Sequence, residues 1–289
     1  MRKFLTPHLE RGFAEYASSG GAVTGPKTIN YLAIKSYMSE VQSASGDGKL
    51  SRVDPEFIDR AISHFKIFMF AGHDTTASTL SFAYNLLFRN PRTLAIARAE
   101  HDAVLGTDPA DAMARLTADP QLLNQMPYSA AVIRETLRLF PVAATARQGS
   151  KDFFLTHPDT GKRYPTDGFI IWGANFAVHR LEAYWERPDE FLPERWLARE
   201  GEPLHVRKNT FRPFELGPRN CIGQELAQLE IRAILAMTLR EFDIEGAYPE
   251  DAPTFLGEKA YQVMMPGQIT GHVKGGFPIR VKLRKQNDS

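Results

Sequence analysis

Between Asp54 and Asn90, apolar and small residues recur at steps of three and four, the pattern of one helix. Asp54-Pro55-Glu56 supplies an N-cap, a first-turn proline and a first-turn acid, and Asn90-Pro91 supplies the stop. A helix of about 35 residues is about 50 Å long at 1.5 Å per residue, so it must cross a whole domain. Ile58, Ile62, Phe65 and Met69 begin the stripe and Thr79, Ala83 and Leu86 close it, which predicts burial along the full length. The middle departs from good helix chemistry: Ala71-Gly72-His73-Asp74-Thr75-Thr76 places helix-weak residues where packing should be best. Gly72 clears space against the helix, and a threonine hydroxyl reaching the carbonyl of Ala71 predicts a local bulge.

The second constraint is Phe214–Gly223, Phe-Glu-Leu-Gly-Pro-Arg-Asn-Cys-Ile-Gly, which holds the sequence's single cysteine. Leu226, Leu229, Ala233 and Met237 follow at helical spacing, placing Cys221 at or just before a helix N-terminus, where free N–H groups favour a thiolate. Gly217 and Gly223 bracket the cysteine where the chain turns or something approaches closely. Arg219 sets a cation two residues away, and Phe214 walls one side.

The rest of the composition excludes more than it specifies. At 289 residues, 43% hydrophobic and 24% charged, the chain supports a large core and is not disordered. A formal net charge of +1 predicts no nucleic-acid partner. One cysteine excludes an internal disulfide and permits a reducing compartment. The longest apolar candidate, Phe65–Gly72, is short and carries Lys66, so no spanning segment is expected. The G-x-G-x-x-G, P-loop and H-E-x-x-H patterns are all missing, so a nicotinamide, flavin or nucleotide site is not built in.

The pattern F-x-x-G-x-R-x-C-x-G fixes five positions, a match expected by chance about once in ten thousand chains of this length. It resembles the cysteine loop of the cytochrome P-450 family, whose thiolate is the proximal ligand of haem iron. Glu215 departs from that resemblance, since the family usually has a small or neutral residue there. Ala71, Gly72, Asp74 and Thr75 resemble the family's distal helix. The resemblance implies that Thr75 steadies the oxygen-binding side and that Asp74 relays protons, with His73 structural. Glu135-Thr-Leu-Arg138 and Phe191-Leu-Pro-Glu-Arg-Trp196 resemble the family's E-x-x-R and P-E-R segments. These imply a buried cluster of Glu135, Arg138 and Arg195 that serves folding and haem retention. The extended Val142-Ala-Ala-Thr-Ala-Arg147 resembles the stretch beside the haem, implying propionate contacts from Arg147 and Arg219 and substrate contacts from Val142 and Ala143. Val263–Met265, and Met264 in particular, are substrate-contact candidates from the C-terminal hairpin. His179-Arg180 resembles a family dipeptide and carries no metal expectation.

The expected fold is mainly α with a small β side, α+β. Pro91–Leu105, Asp111–Leu123 and Tyr128–Phe140 read as helices. Phe153–Leu155 and Phe169–Trp172 read as strands joined through Pro158–Gly161, and Tyr261–Met265 and Pro278–Leu283 as strands around Gly267–Gly276. The resemblance implies that residues 1–289 form only the C-terminal portion of a family domain, with 54–289 holding haem. Residues 1–53 are then entry segments, with a helix near Ile29–Gln42 and loops at Ser18–Gly21 and Ser43–Asp47. Functionally it implies a haem b monooxygenase using O₂ and NADPH electrons from a separate reductase on a small lipophilic substrate. Arg207, Lys208 and Arg212 would dock an acidic partner or form a solvated charge patch. The alternatives are a haem-thiolate isomerase or dehydratase, or a remnant unable to retain haem. A full-length relative would sit at the endoplasmic reticulum membrane, and membrane association here depends on an anchor outside this sequence.

Overall fold

A computed structural model describes residues 1–19, 28–45, 53–264 and 270–284, and the chain divides into two compact units, Met1–His73 and Asp74–Ser289. In the first unit, α1 (Arg2–Ser18) packs on α2 (Ile29–Ser45) and on the first turns of α3 (Pro55–Arg89). Leu9 and Phe13 of α1, Ile34 of α2, and Phe57, Ile58 and Ile62 of α3 are the buried heart of this unit. A Cβ on Gly12 would lie 2.9 Å from the Ile34 side chain, so the glycine lets α1 and α2 approach closely. The helix α1 was not foreseen, because Pro7 interrupts its second turn and only Leu9 and Phe13 are fully buried.

The helix α3 has its expected bounds and length, 35 residues, but it stays α-helical through Ala71–Thr76 with no bulge. Burial along it is also interrupted. Ile67, Phe68, Met69 and Phe70 are exposed, as are Ala71, Gly72 and His73, and burial resumes at Thr76. The period of three and four identified the helix but not where along it a partner surface is present.

The second unit continues with α4 (Pro91–Leu105), α5 (Ala112–Ala118) and α6 (Pro127–Leu139). The single helix expected over Asp111–Leu123 is broken at Asp119-Pro120, where Asp119 accepts the Gln121 N–H and starts a 3-10 segment, Pro120–Gln125. Four short strands follow: β1 (Ala146–Gln148), β2 (Phe154–Thr156), β3 (Arg163–Pro165) and β4 (Ile170–Trp172). After them come the single turn α7 (Asn175–Val178), the helix α8 (Gln224–Thr238), and β5 (Phe242–Gly246), β6 (Gln262–Val263), β7 (His272–Val273) and β8 (Ile279–Leu283).

All pairing is antiparallel and two-stranded, and it corrects the expected hairpins. The turn at Pro158–Gly161 joins β2 to β3, while β4 pairs with β1, not with β2. Likewise β8 pairs with β5 and β6 pairs with β7. Strand-forming residues were legible, but partner choice depends on contacts far apart in sequence. Residues 20–21 and 46–47 of the expected loops, Met265, residues 267–269 of the glycine-rich turn and Lys285 lie outside the described residues.

The second unit's main core joins α3, α4, α6 and α8, with Phe82 and Phe140 stacked at 4.2 Å between ring centres. The buried face of α8 is Ile231, Leu235 and Ala236. Leu226 and Leu229 of the expected stripe are exposed, and Ala233 and Met237 are half-buried. Among the described residues, no helix is long and apolar enough to cross a membrane. Phe82→Ala should cost about 3–5 kcal/mol in urea unfolding followed by circular dichroism. Phe153→Ala, at an exposed ring, should change stability by about 0.5 kcal/mol or less.

Candidate functional site

Helix α6 is buried over most of its surface and carries a carboxylate with no exposed area, so Glu135 needs partners. Arg138 Nε donates to Glu135 Oε2 at 3.0 Å and Arg138 Nη2 to Oε1 at 2.8 Å. Arg195 Nε donates to Oε1 at 3.0 Å, and the Leu192 N–H and the Trp196 indole complete the set, each at 3.0 Å. The remaining guanidinium N–H groups bond backbone carbonyls. Arg138 reaches His179, Pro188 and Glu190, and Arg195 reaches Glu186 and Arg187. Two buried cations around one buried anion are thus solvated by an irregular stretch of chain, which they fix in place.

The imidazole of His179 carries this fixation onward. Its Nε2 accepts the Arg212 N–H at 3.0 Å, so the neutral ring's hydrogen is on Nδ1, which donates to the Arg138 carbonyl at 3.2 Å. Burial is the main reason its pKa drops to about 4, and the neighbouring arginines add to the effect. Asn175 Nδ2 donates to the Arg212 carbonyl at 3.0 Å. Arg212 is therefore pinned through its backbone as the chain enters Phe214–Gly223.

Within that loop the Glu215 N–H bonds the Arg212 carbonyl, and both Glu215 and Gly217 have positive φ, 61° and 75°. Gly217 meets this demand without strain, whereas at Glu215 the side chain's contacts hold the conformation. Cys221 N donates to the Phe214 carbonyl at 2.8 Å, closing the loop. Cys221 is exposed and precedes the first residue of α8 by three positions. A Cβ on Gly223 would meet only Cys221 Sγ, at 3.9 Å.

Cys221, Arg219 and Phe214 line a cavity of about 200 Å³ together with Thr75, Thr76 and Thr79 of α3. Leu137, Val142, Ala143, Ala227 and Ile231 give it apolar walls. The structure therefore brings together six residues named from the sequence: Cys221, Arg219, Phe214, Thr75, Val142 and Ala143. Asp74, Arg147, Met264, Gly217 and Gly223 do not line this cavity. Arg147 is exposed and bonds the Ala146 carbonyl, and Met264 is half exposed. Ala71 and Gly72 lie on the exposed stretch of α3, where a Cβ on Gly72 would meet nothing within 4 Å.

Glu215, also in the cavity wall, pairs with Arg212, whose Nε is 2.8 Å from Oε1. Burial opposes ionisation of Glu215. Hydrogen bonds from Thr145 and Arg212 and the charges of Arg212 and Arg147 outweigh it, and the carboxyl sits below its usual range. Arg212 remains exposed in this pairing, as are Arg207 and Lys208, and Arg207 bonds the Ala183 carbonyl at 2.8 Å.

Sequence reasoning missed Thr76, whose buried hydroxyl has no hydrogen-bond partner among the described residues, and the capping carboxylate Glu100, which accepts the Tyr128 and Ser129 N–H groups at the start of α6. Buried His101 bonds Ser129 Oγ at 2.8 Å, and burial, then the Arg240 charge, lowers its pKa to about 4. No local motif marks Glu100 or His101, because their partners lie 28 and 29 residues away.

The α+β unit thus places a braced cysteine loop and a threonine-bearing helix face on the wall of one largely apolar cavity. The family model described as Cytochrome P450 matches residues 38–269, and the chain belongs to the cytochrome P450 family. It is 40% identical to cytochrome P450 monooxygenase polC of Polytolypa hystricis over 89% of this chain and 47% of polC. It is 37% identical to cytochrome P450 monooxygenase acrF of Aspergillus aculeatus over 93% of this chain and 58% of acrF. Cytochrome P450 monooxygenase PC-23 of Penicillium crustosum is 33% identical over 70% of this chain and 99% of its own length. The chain spans about half the length of polC and acrF.

Glu135→Ala strands two buried guanidinium groups and should cost about 3–5 kcal/mol in urea unfolding. In acid, the unfolded chain protonates His101 and His179 near 6.5 and the folded chain only near 4. Stability should therefore fall steadily from about pH 6.5 to about pH 4, seen as a lower urea midpoint at pH 5 than at pH 7.

Proposed function

We propose that this chain is the haem-holding part of a haem-thiolate monooxygenase that inserts one oxygen atom from O₂ into a small lipophilic substrate. The observation that carries this reading is the shared cavity, with Cys221 and the Thr75 face of α3 both on its wall. The donor set suits haem b: a single soft sulfur ligand, apolar walls for a porphyrin, and Arg219 for a carboxylate. When bound, haem supplies dioxygen activation, favoured by electron donation from the thiolate.

The protein's own residues have separable tasks. Cys221 ligates the metal from a loop whose backbone is closed by the Phe214 carbonyl. Arg219 and Arg147 hold propionates, the exposed Arg147 guanidinium exchanging its bond to the Ala146 carbonyl for one. Phe214, Val142 and Ala143 exclude water and meet the substrate, with Met264 a further contact. Thr75 holds a proton or a water at Oγ1 on the cavity side. Asp74 supplies protons from the neighbouring helix face. Electrons come from a separate NADPH-dependent reductase, docked through Arg207, Lys208 and Arg212, all exposed. Residues 1–289 are part of a family domain, and a full-length relative would sit at the endoplasmic reticulum membrane. The intact Asp74-Thr75 pair favours monooxygenation over isomerase or dehydratase chemistry, which needs no such proton supply.

Haem should bind the purified chain, and reduction under carbon monoxide should give a red-shifted Soret band that Cys221→Ser loses. Absence of haem uptake, or the same band in the variant, contradicts the proposal.

A further inference from the structure

We propose that Thr270 and His272 form a relay arm that returns protons from solvent to Asp74, an inference that rests on the reading of Asp74 as proton donor to the cavity.

The helix α3 presents two adjacent faces in this region. Thr75 and Thr79, one turn apart, line the cavity, and Thr79 Oγ1 bonds the Thr75 carbonyl at 2.8 Å. Asp74 and Ser78, also one turn apart, face the segment leading into β7. There Thr270 Oγ1 donates to Asp74 Oδ2, His272 Nε2 lies 3.1 Å from Thr270 Oγ1, and Ser78 Oγ lies 3.5 Å from His272 Nδ1. His272 Nε2 is also 3.5 Å from Asp74 Oδ2.

Hydrogen-bond arithmetic orders this chain. The Thr270 hydroxyl has one hydrogen and gives it to the carboxylate, so it meets His272 with a lone pair, and Nε2 must carry the hydrogen. Ser78 suits both states of the ring. Its hydroxyl donates to Nδ1 when the imidazole is neutral and accepts from Nδ1–H when it is protonated. Support of the helix alone would need only the Thr270–Asp74 bond. The titratable ring behind it, about a quarter exposed along with Asp74, reaches solvent.

Backbone contacts hold the arm at the cavity wall. Thr270 is buried and bridges to Ala143, and Gly271 N donates to the Val142 carbonyl at 2.6 Å. Both Val142 and Ala143 line the cavity. Gly271 also abuts Gln262, whose Nε2 is tied to the Pro141 carbonyl at 2.9 Å, so a side chain at 271 would displace that contact.

The transfer balances without electrons changing hands. From protonated His272, the Nε2–H bond breaks as an O–H bond forms on Thr270. The original Thr270 O–H bond breaks as one forms on Asp74 Oδ2. Imidazolium and carboxylate become imidazole and carboxylic acid, and solvent returns one proton to the ring. His272 and Thr270 act through Asp74 and are positioning residues in this sense.

Two measurements test the arm. In the chain without haem, proton NMR should show a slowly exchanging Nε2 proton of His272 that Thr270→Ser keeps and Thr270→Val loses. In the haem-loaded chain on an electrode, His272→Ala should lower the dioxygen-reduction current on the order of a hundredfold, the low end for a positioned acid–base group. Added imidazole should restore it. A wild-type Nε2 proton in fast exchange, an unchanged current in His272→Ala, or a lowered current that imidazole does not raise overturns the relay. A wild-type chain that takes up no haem contradicts the functional reading itself, and the exchange measurement then decides the hydrogen-bonded chain alone.

Discussion

The fold of the second unit depends on one buried carboxylate. Glu135 accepts five hydrogen bonds, three from two arginines and two from Leu192 and Trp196, in a region with no exposed area. A pair of guanidinium groups around one anion leaves an excess positive charge. The carbonyls of His179, Glu186, Arg187, Pro188 and Glu190 turn inward to stabilise it. The irregular chain between α7 and the cysteine loop is shaped by the electrostatic needs of a helix side chain.

From that anchor the order propagates by hydrogen bonds. The imidazole of His179 links the Arg138 carbonyl to the Arg212 amide, Asn175 holds the Arg212 carbonyl, and Glu215 pairs with the Arg212 guanidinium. With the loop's entry fixed, the Cys221 amide finds the Phe214 carbonyl, and the sulfur takes its place beside the cavity that α3, α6 and α8 enclose. The placement of the cysteine loop in this chain is thus a consequence of charge burial some distance away. It explains why a loop with two positive-φ residues and an exposed cysteine keeps one shape.

Much of this was legible in the sequence, and the limits are physical. The helices α3, α4, α6 and α8 announced themselves through period and proline placement, and Glu135, Arg138 and Arg195 through spacing matched to a family. The fold class also followed from such local signals. Strand pairing did not, since Phe169–Trp172 fits β1 or β2 equally well by composition. The exposed run from Ile67 to Phe70 was misread because periodicity reports a face and not its neighbour. His179 could have been suspected as a link from its place beside Arg180, but its neutral state follows only from burial. The Thr270–His272 arm joins positions nearly two hundred residues apart, which no window of sequence reveals.

The central claim is that the Cys221 sulfur binds a haem iron held in the cavity it shares with Thr75. X-ray absorption at the iron edge of the haem-loaded chain tests it most directly. A sulfur scatterer among the atoms bound to iron, replaced by nitrogen or oxygen in Cys221→Ser, is the predicted result. Only nitrogen and oxygen around the iron of the unaltered chain would contradict it.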